Sequence, residues 1–416
     1  MSRRVVVIGG GVVGLSAAYH LAERGHAVTV LDGRPATASC SFGNSGLLVP
    51  SHFIPLAAPG MVGLGLRSLL RRDSPFALAP RLDLGLLAWL GRFWRAANAE
   101  TVAQRAPVLA ALHLASREIH RDWAGRFQPG FGLVTDGLLM LASTAHGLAE
   151  EVHGATTARS LGIPAEVLGP GDLARLEPNL QLQVAGGVFY PLDAHLSPAD
   201  LLVGLEAAVV QCGVEIDRGA AVTGCRREGR RLVAVETARG DHAADTLVLA
   251  AGVASTVLAR DLGLKLPMLP GKGYSLTVPA PGRVPRLPSI LTEARVAVTP
   301  LGGSLRVGGT LELGRGEGPP DPRRVAGIVR SFTTHYPDFA PADFAAVTPW
   351  SGLRPCSPDG LPYVGRFARY DNLVAATGHA MMGVSLGPIT GRLVAEIVSG
   401  EPPSLEISAL HPDRFS

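Results

Sequence analysis

Cysteine and lysine are scarce in this chain of 416 residues, and no long apolar run is present. The cysteines, Cys40, Cys212, Cys225 and Cys356, lie too far apart for a CxxC pair or for the spacing of a metal site. We therefore expect no metal centre, and reduced thiols as in a cytoplasmic protein. No stretch approaches the roughly 18 uninterrupted apolar residues of a membrane-spanning helix, so no such helix is predicted.

Lysine accounts for only two of the 38 basic residues, Lys265 and Lys272, and 35 acidic residues leave a formal net charge of +3. So small a charge gives no reason to expect nucleic acid as a partner. Hydrophobic residues make up 47% of the chain and charged residues 18%, which indicates a globular protein with room for two domains. The apolar run after Arg3 and Arg4 is broken by glycines and has no small-residue cleavage site, so we do not interpret it as a signal peptide.

The first residues alternate between strand and helix patterns. Residues 5–8 predict a short buried strand, residues 12–22 have the apolar spacing of a helix that Gly25 ends, and residues 27–31 predict a second strand. This order is typical of a parallel sheet.

A glycine-rich motif, Gly9-Gly10-Gly11-Val12-Val13-Gly14, joins the first strand to the helix. Gly9 permits the tight turn, Gly11 lets the backbone approach a pyrophosphate at the helix N-terminus, and Gly14 permits close packing of the helix on the strand. Asp32, at the end of the second strand, can accept hydrogen bonds from ribose hydroxyl groups. The motif predicts a dinucleotide site, and a purely structural glycine-rich turn is the alternative. The predicted site also includes Val12, Val13, Gly33 and Arg34. No second GxGxxG follows a strand, so separate sites of this kind for FAD and NAD(P)H are not expected.

Further strands and helices are predicted along the rest of the chain. Predicted strands cover 137–142, 187–190, 214–216, 221–225, 232–237 and 246–250, with more between 267 and 315. Ser197 and Pro198 begin a helix that reaches residue 210, and a final helix over 384–399 ends at Gly400. Residues 60–127 mix apolar residues with arginines. We interpret them as helices packed on a domain core, with a peripheral membrane or quinone-facing surface as the alternative.

Several motifs together resemble one family. Residues 350–365 are WSGLRPCSPDGLPYVG, residues 372–379 are NLVAATGH, and Gly383 and Gly387 follow. Residues 41–46 (SFGNSG), 57–60 (AAPG) and 73–76 (DSPF) precede them. Over essentially its whole length the chain resembles the D-amino acid oxidase superfamily, which includes glycine and sarcosine oxidases. It is most similar to the small-subunit type of D-amino acid dehydrogenase and to D-hydroxyproline dehydrogenases.

The resemblance implies an α/β fold of the glutathione-reductase type, with a Rossmann domain for FAD and an α+β substrate domain with a mixed or antiparallel sheet. We expect a discontinuous FAD-binding domain over 1–80, 196–265 and 346–416. The substrate-binding domain is expected over 81–195 and 266–345.

By resemblance, Arg354 would hold the carboxylate of a substrate, since a guanidinium forms a bidentate pair with a planar carboxylate. A structural arginine is the alternative. His379, at a strand-to-helix turn that faces the flavin in the family, could donate a hydrogen bond or be an ordinary turn histidine. Tyr274 and His52 are further candidates for the substrate pocket. Tyr274 could equally be a packed strand residue.

The remaining cofactor contacts also follow from the resemblance. They comprise Ser41, Asn44, Ser45, Gly46 and Leu47 near the flavin and pyrophosphate, Val222, Ala251 and Gly252 near the adenine, and Gly378, His379, Met382 and Gly383 at the turn. In sarcosine oxidase the cysteine linked to the flavin lies six residues before a Pro-Asp pair. Gly352 holds that position here, so we predict non-covalent FAD.

The expected reaction is hydride transfer from the α-carbon of a small D-amino acid or D-imino acid, such as D-proline or cis-4-hydroxy-D-proline, to flavin N5. The alternatives are a glycine or sarcosine-type amine oxidase, and a non-catalytic flavoprotein subunit of a larger assembly. The electron acceptor stays open between a quinone, a carrier and O2. We expect a bacterial protein in the cytoplasm that could contact the inner face of the inner membrane.

Overall fold

A computed structural model describes residues 2–68, 76–78 and 83–416. Residues 73–75 of the DSPF motif lie outside these described ranges. The strands in the described residues, numbered in chain order, are β1 (Arg4–Ile8), β2 (Ala27–Asp32), β3 (Leu47–Leu48), β4 (Phe76–Leu78), β5 (Leu138–Ala142), β6 (Glu166–Leu168), β7 (Gly186–Tyr190), β8 (Ala194–His195), β9 (Glu215–Arg218), β10 (Val222–Glu228), β11 (Arg231–Thr237), β12 (Gly240–Ala243), β13 (Thr246–Leu249), β14 (Leu269–Val278), β15 (Ser289–Leu291), β16 (Val296–Leu301), β17 (Ser304–Leu313), β18 (Trp350–Cys356), β19 (Tyr363–Arg366) and β20 (Leu373–Thr377).

The helices begin and end close to the positions that the sequence predicts. Ser197 accepts a hydrogen bond from the amide of Asp200 and so caps its helix, and Gly400 ends the last helix with a φ of +78°. The α-helices are α1 (Val12–Glu23), α2 (Met61–Ser68), α3 (Leu84–Ala96), α4 (Ala99–Arg126), α5 (Ala145–Ser160), α6 (Pro170–Leu176), α7 (Pro198–Gln211), α8 (Ser255–Asp261), α9 (Pro322–His335) and α10 (Gly383–Ser399).

A six-stranded sheet in the order β19-β20-β13-β1-β2-β9 forms the dinucleotide-type half of the molecule. β1 pairs in parallel with β2 and β13, and only β19 runs antiparallel to its neighbour. The apolar residues of β1 and β13 are buried, as expected for central strands covered on both faces. The carboxyl ends of β1, β2 and β13 meet at one edge, where ligands of such sheets bind.

A second, mixed sheet has the order β18-β14-β17-β16-β15-β5-β7-β6, with β4 paired to β17. The α/β class and the two kinds of sheet confirm the predicted fold class. The pairings of this sheet cross the predicted domain limits, since β18 pairs with β14 and β4 pairs with β17. Both β18 and β4 lie in ranges expected for the cofactor domain, and their hydrogen-bonded neighbours lie in the mixed sheet. Register, which chain order does not reveal, places them there.

The helix α4 packs against both halves of the molecule. Leu109, Leu112 and Trp123 of this helix pack in the same apolar cluster as the residues of β1, α1 and α10. Ala106 and Ala110 of the same helix pack in a second cluster with residues of α5 and β7. Hydrophobic burial, which ignores chain order, drives that placement.

The closest helix contact in the cofactor half is between α1 and α10, and two glycines permit it. A Cβ on Gly391 would lie 2.4 Å from the carbonyl carbon of Ser16, and a Cβ on Gly387 would lie 3.2 Å from a methyl group of Val12. Small residues let the two helix backbones approach. This contact fixes α10, and with it the turn at its N-terminus, beside the glycine motif.

Candidate active site

One cavity of about 2370 Å³ runs from the glycine motif to Arg354. Pockets for drug-sized ligands usually measure about 300–1,000 Å³, so this cavity can hold a dinucleotide together with a small substrate. Most of the predicted site residues line it: Gly9, Gly11, Val12, Val13, Asp32, Gly33, Arg34, Ser41, Asn44, Ser45, Leu47, His52, Val222, Ala251, Gly252, Tyr274, Arg354, His379, Met382 and Gly383.

Three predicted cofactor contacts, Gly14, Gly46 and Gly378, lie behind the wall of the cavity instead. A Cβ on Gly14 would lie 1.8 Å from the carbonyl oxygen of Gly9, and one on Gly46 would lie 2.1 Å from that of Leu196. Gly378 has a φ of +83° and packs on the ring of Tyr363. These glycines shape the turns that carry the cavity residues.

The glycine turn holds its shape through Asp32. Its carboxylate accepts hydrogen bonds from the amides of Gly10 at 2.8 Å and Arg34 at 3.0 Å. Gly9 has a φ of +112°, a conformation that side chains rarely adopt, and Gly11 caps α1 without a side chain. The N-terminus of α1 therefore opens on the cavity with the partial positive charge that binds a pyrophosphate.

The loop over residues 41–46 is held from several sides. Ser41 Oγ accepts a hydrogen bond from the amide of Val12 at 3.2 Å. Asn44 Oδ1 accepts a hydrogen bond from the amide of Gly46 at 2.9 Å. Arg306, which the sequence did not single out, donates to the carbonyls of Phe42 and Asn44 at 3.3 and 2.6 Å. This buried arginine of β17 therefore joins the mixed sheet to the loop over residues 41–46.

The turn before α10 carries His379, which is buried. Its Nε2 lies 2.9 Å from Thr390 Oγ1, and burial lowers the pKa of the ring to about 3. The ring is therefore neutral at physiological pH and has a partner within α10. This geometry favours an ordinary turn histidine over a charged donor.

Arg354 projects from β18 into the cavity and has no carboxylate partner among the described residues. One guanidinium nitrogen donates to the carbonyl of Thr310 at 2.6 Å. Burial lowers its pKa, and the group is still a cation. Arg354 is half-buried. Keeping a guanidinium partly away from water without an ion-pair partner is costly, which favours an anion at this point of the cavity.

Glycines make the space around Arg354. A Cβ on Gly273 of β14 would lie 2.3 Å from the guanidinium carbon, so only glycine lets the group lie against this strand. Thr310, whose carbonyl receives Arg354, has a φ of +67°, which is strained for a β-branched residue. Trp350 lies close to Gly43 and Gly352, where added Cβ atoms would meet its ring at 2.1 and 2.2 Å. In the sequence, the glycines within strand β14 are the only indication that the Arg354 side chain lies close to this strand.

Tyr274, a candidate for the substrate pocket, has the contacts of a packed strand residue in the structure. Its hydroxyl donates to the buried carboxylate of Glu312, and its ring packs with Leu276 and Ile328 on the α9 side of the sheet. Lys272 also has its own partners, the carbonyls of Gly318 and Pro319 at 2.6 and 2.8 Å. The geometry therefore favours structural roles for both.

Several buried histidines are neutral in the folded protein. Burial lowers the pKa of His52, His120 and His195 to about 4 and that of His113 and His379 to about 3. Burial raises the pKa of the carboxyl groups of Asp193 and Glu151 to about 7. The histidines and the two carboxyl groups change the free energy of unfolding in opposite directions as the pH falls.

We expect the free energy of unfolding to fall steeply between pH 6.5 and about pH 4. There the unfolded chain protonates the histidines while the folded chain does not, which costs about 1.4 kcal/mol per pH unit for each. Asp193 and Glu151 raise the free energy of unfolding over the same range, because the folded chain binds their protons first. The histidines outnumber these two carboxyl groups, so the net change is a loss of stability. Urea unfolding at pH 7.5, 6 and 5 measures this. His113→Asn, which can still reach Ser385, should make the slope shallower, and an unchanged slope would contradict the assignment.

Among the described residues, no group of three histidine, cysteine, aspartate or glutamate side chains could hold a metal ion.

Within the described ranges, no helix has both the length and the apolarity that crossing a membrane requires.

Comparison with known protein families identifies the family to which the chain belongs. The family model described as "FAD dependent oxidoreductase" (DAO) matches residues 4–397. The chain belongs to the DAO family of FAD-dependent oxidoreductases. This confirms the predicted family and the predicted cofactor, FAD.

Relatives within the DAO family are similar over their whole length. A D-amino acid dehydrogenase of Methylobacterium sp. (strain 4-46) is 37% identical over 97% of this chain and 96% of its own. One from Granulibacter bethesdensis is 32% identical over 99% of this chain and 100% of its own.

Solved structures share the fold. Glycine oxidase from Geobacillus kaustophilus is 24% identical, with a TM-score of 0.80 over 100% of both chains. L-proline dehydrogenase from P. horikoshii is 19% identical, with a TM-score of 0.75 over 100% of this chain and 98% of its own. These likenesses support the two-sheet architecture.

Proposed function

We propose that this protein is an FAD-dependent dehydrogenase of small D-amino acids or D-imino acids, including proline-type compounds. The observation that carries the proposal is Arg354, a half-buried guanidinium without a carboxylate partner among the described residues, in the same cavity as the dinucleotide motif. The full-length relatives named D-amino acid dehydrogenase support the choice of substrate class.

The residues present fit FAD. The N-terminus of α1 and the glycine turn would hold the pyrophosphate, Asp32 the ribose, and Val222 and Ala251 the adenine side. The loop over 41–46 and the turn before α10 would enclose the flavin. The cofactor would bind without a covalent link, because Gly352 offers no side chain and burial raises the pKa of the Cys356 thiol to about 12.

Arg354 would fix the carboxylate of the substrate through two parallel hydrogen bonds and so orient the α-hydrogen. Gly273 leaves the room for this approach, and the carbonyl of Thr310 holds the guanidinium in place. When bound, FAD supplies the acceptor for the hydride that leaves the α-carbon. A primary amine would give an imine, which water hydrolyses to a 2-oxo acid and ammonia, whereas a proline-type substrate would give a cyclic imine.

An anaerobic substrate screen tests the proposal. The purified yellow protein is mixed with D- and L-amino acids, D-proline, hydroxyproline isomers, glycine and sarcosine, and the flavin absorbance band is followed. Bleaching by D-isomers or D-imino acids is the expected result. Bleaching only by glycine or sarcosine would replace the proposal with the amine-oxidase alternative. If no compound bleaches a fully loaded protein, the non-catalytic subunit takes its place.

The electron acceptor would be reached at a membrane surface. Helix α3 exposes Leu84, Leu87 and Trp94 at 85%, 53% and 67%, while Trp89 and Phe93 face inward. Arg95 lies exposed in its last turn. Exposed apolar residues beside a cation are typical of helices that lie in a membrane interface. A lipid-soluble quinone would be accessible there.

We expect the protein to sediment with vesicles that contain anionic lipid. Leu84→Ser with Trp94→Ser should reduce the bound fraction at least severalfold, because the apolar contact area is lost. The matched control is Val203→Ser with Val210→Ser, a pair that is 54% and 55% exposed on α7. Equal sedimentation of all three proteins would exclude α3 as the membrane contact.

A further inference from the structure

Three side chains, Asp193, Ser51 and His52, form a hydrogen-bonded row from the protein core to the cavity wall. Asp193 is completely buried. Ser51 donates to its carboxylate twice, from Oγ at 2.5 Å and from the amide at 3.0 Å. On its other side, Ser51 Oγ lies 3.1 Å from His52 Nδ1. His52 lines the same cavity as Arg354, so the row connects a buried acid to the substrate site.

The order of donors along the row sets the tautomer of His52. The single hydroxyl proton of Ser51 goes to Asp193 when that carboxylate is ionised, so Ser51 Oγ must accept from Nδ1–H of His52. The lone pair of the ring then resides on Nε2. No described residue hydrogen-bonds this atom, which is the ring nitrogen available to a ligand in the cavity.

His52 lines the same cavity as the turn that would face the flavin. The ring of His113, which interacts electrostatically with His52, contacts Ser385 Oγ at 2.9 Å and Met382 Sδ at 3.4 Å. Met382 caps the N-terminus of α10. A substrate that is oriented by Arg354 and faces this turn would therefore lie in the cavity whose wall His52 helps to form.

We propose that His52 accepts the proton of the substrate's ammonium group and that Asp193 receives a proton in turn through Ser51. The proton leaves the substrate nitrogen for Nε2, the Nδ1 proton moves to Ser51 Oγ, and the Ser51 proton moves to Asp193. The substrate becomes a neutral amine, Asp193 a neutral acid, and His52 stays neutral in its other tautomer. No electrons are transferred in this step. The proposal rests on the proposed function, since hydride departure requires the neutral amine.

The surroundings of the row assign the proton to Asp193. Burial raises the pKa of its carboxyl group to about 7, against the opposing charge of Arg117 on α4. Burial, together with the charge of Arg295, lowers the pKa of His52 to about 4, so the imidazole transmits the proton and does not keep it. A proton acceptor with a pKa near the working pH is the most effective kind.

Other titratable groups border the row. Tyr190 of β7, with a pKa that burial raises, feels the charges of both Asp193 and Glu151. Glu151 of α5 has a pKa of about 7, also raised by burial, and Arg295 opposes that rise. Within the described residues none of these groups hydrogen-bonds Ser51 or His52, so the connected path is Asp193–Ser51–His52.

Asp193→Asn tests the proposal. The amide cannot receive the proton, and its NH2 group would donate to Ser51, which would then donate to Nδ1 of His52 and leave Nε2 protonated. We expect the rate of anaerobic flavin reduction at pH 7 to fall about 100- to 10,000-fold. The inflection of the wild-type rate near pH 7 should disappear. The rate should recover at alkaline pH, where the substrate is already a free amine, which structural damage alone would not allow.

Companion variants separate the row from general damage. Ser51→Ala should reproduce the loss and Ser51→Thr, which keeps the hydroxyl, should restore the rate. Asp122→Asn, on the exposed face of α4, is the matched control. If Asp193→Asn does not fold, the Ser51 pair carries the test. A wild-type rate and pH profile in Asp193→Asn or Ser51→Ala would overturn the proposal.

A readout independent of turnover uses 15N-labelled histidine. The His52 signal, identified by its absence in His52→Gln, should report Nδ1–H at pH 8 in the wild type and Nε2–H in Asp193→Asn. The same tautomer in both proteins would overturn the proposal. This measurement also separates two failures: if no D-amino acid bleaches the wild type, the proposed function fails while the tautomer result still stands or falls by itself.

Discussion

Arg354→Ala should lower kcat/KM for the best D-amino acid by about 100- to 10,000-fold. Each hydrogen bond to a charged group contributes about 1.5–3 kcal/mol, and the substitution removes a bidentate pair. Most of the loss should appear as a higher KM, because the carboxylate is bound in the ground state and the transition state alike. A smaller part should appear in kcat, since the α-hydrogen is no longer oriented. Steady-state kinetics with an artificial electron acceptor measure both.

Two variants make this result specific to the guanidinium. Arg354→Lys keeps the charge but not the planar fork, so it should recover only part of the affinity. Arg260→Ala removes a side chain that is 77% exposed on α8 and should behave as the wild type. The FAD content of Arg354→Ala should be normal. An unchanged KM in a fully loaded Arg354→Ala protein would exclude a carboxylate anchor at this position.

The parts of the site that the sequence predicts well depend on local geometry. The turn from β1 to α1 needs Gly9 for its φ of +112°, and it needs Gly14 because the nearby carbonyl oxygen of Gly9 occupies the space of a side chain. Spacing along the chain is enough to find such a feature. The caps at Ser197 and Gly400 are local in the same way, and both lie where they were predicted.

Features that depend on distant pairing were missed. Arg354 and Gly273 meet because β18 pairs with β14, although a long stretch of chain separates the two strands. The strain at Thr310 and the hold of Arg306 on the loop over 41–46 arise from the same sheet. In the row from Asp193 to His52, Asp193 and Ser51 lie 142 residues apart. No periodicity in one segment reports contacts of this kind.

Tyr274 shows why the sequence left two interpretations open, a residue of the substrate pocket and a packed strand residue. It lies one residue from Gly273, which contacts Arg354, yet alternate residues of a strand point to opposite faces. Its ring therefore packs toward α9, where Glu312 receives the hydroxyl. The register of a strand relative to the cavity is set by the whole sheet, so residue type and proximity in sequence could not decide it.

Gly14→Ala should abolish FAD binding and prevent folding of most of the protein. The added Cβ would lie 1.8 Å from the carbonyl oxygen of Gly9 and 3.4 Å from the Cβ of Ala250. Relief requires α1 to move away from β1, but α10 holds α1 from the other side through Gly391. Because α1 cannot tilt away, the turn before it must open. The amide groups at the N-terminus of α1 would then no longer point toward the pyrophosphate. Flavin absorbance per protein after purification, together with the melting temperature, measures the effect.

The matched control is Gly125→Ala, a helical glycine near the end of α4 with no atom within 4 Å of an added Cβ. Alanine should stabilise that position by about 0.5–1 kcal/mol, since glycine loses more conformational freedom on folding. Opposite signs for one substitution at two helical glycines would show that the effect at Gly14 is steric. Because Gly14 lies behind the wall of the cavity, normal flavin content in Gly14→Ala would mean that the turn tolerates the shift and that its rigidity is not what binds the cofactor.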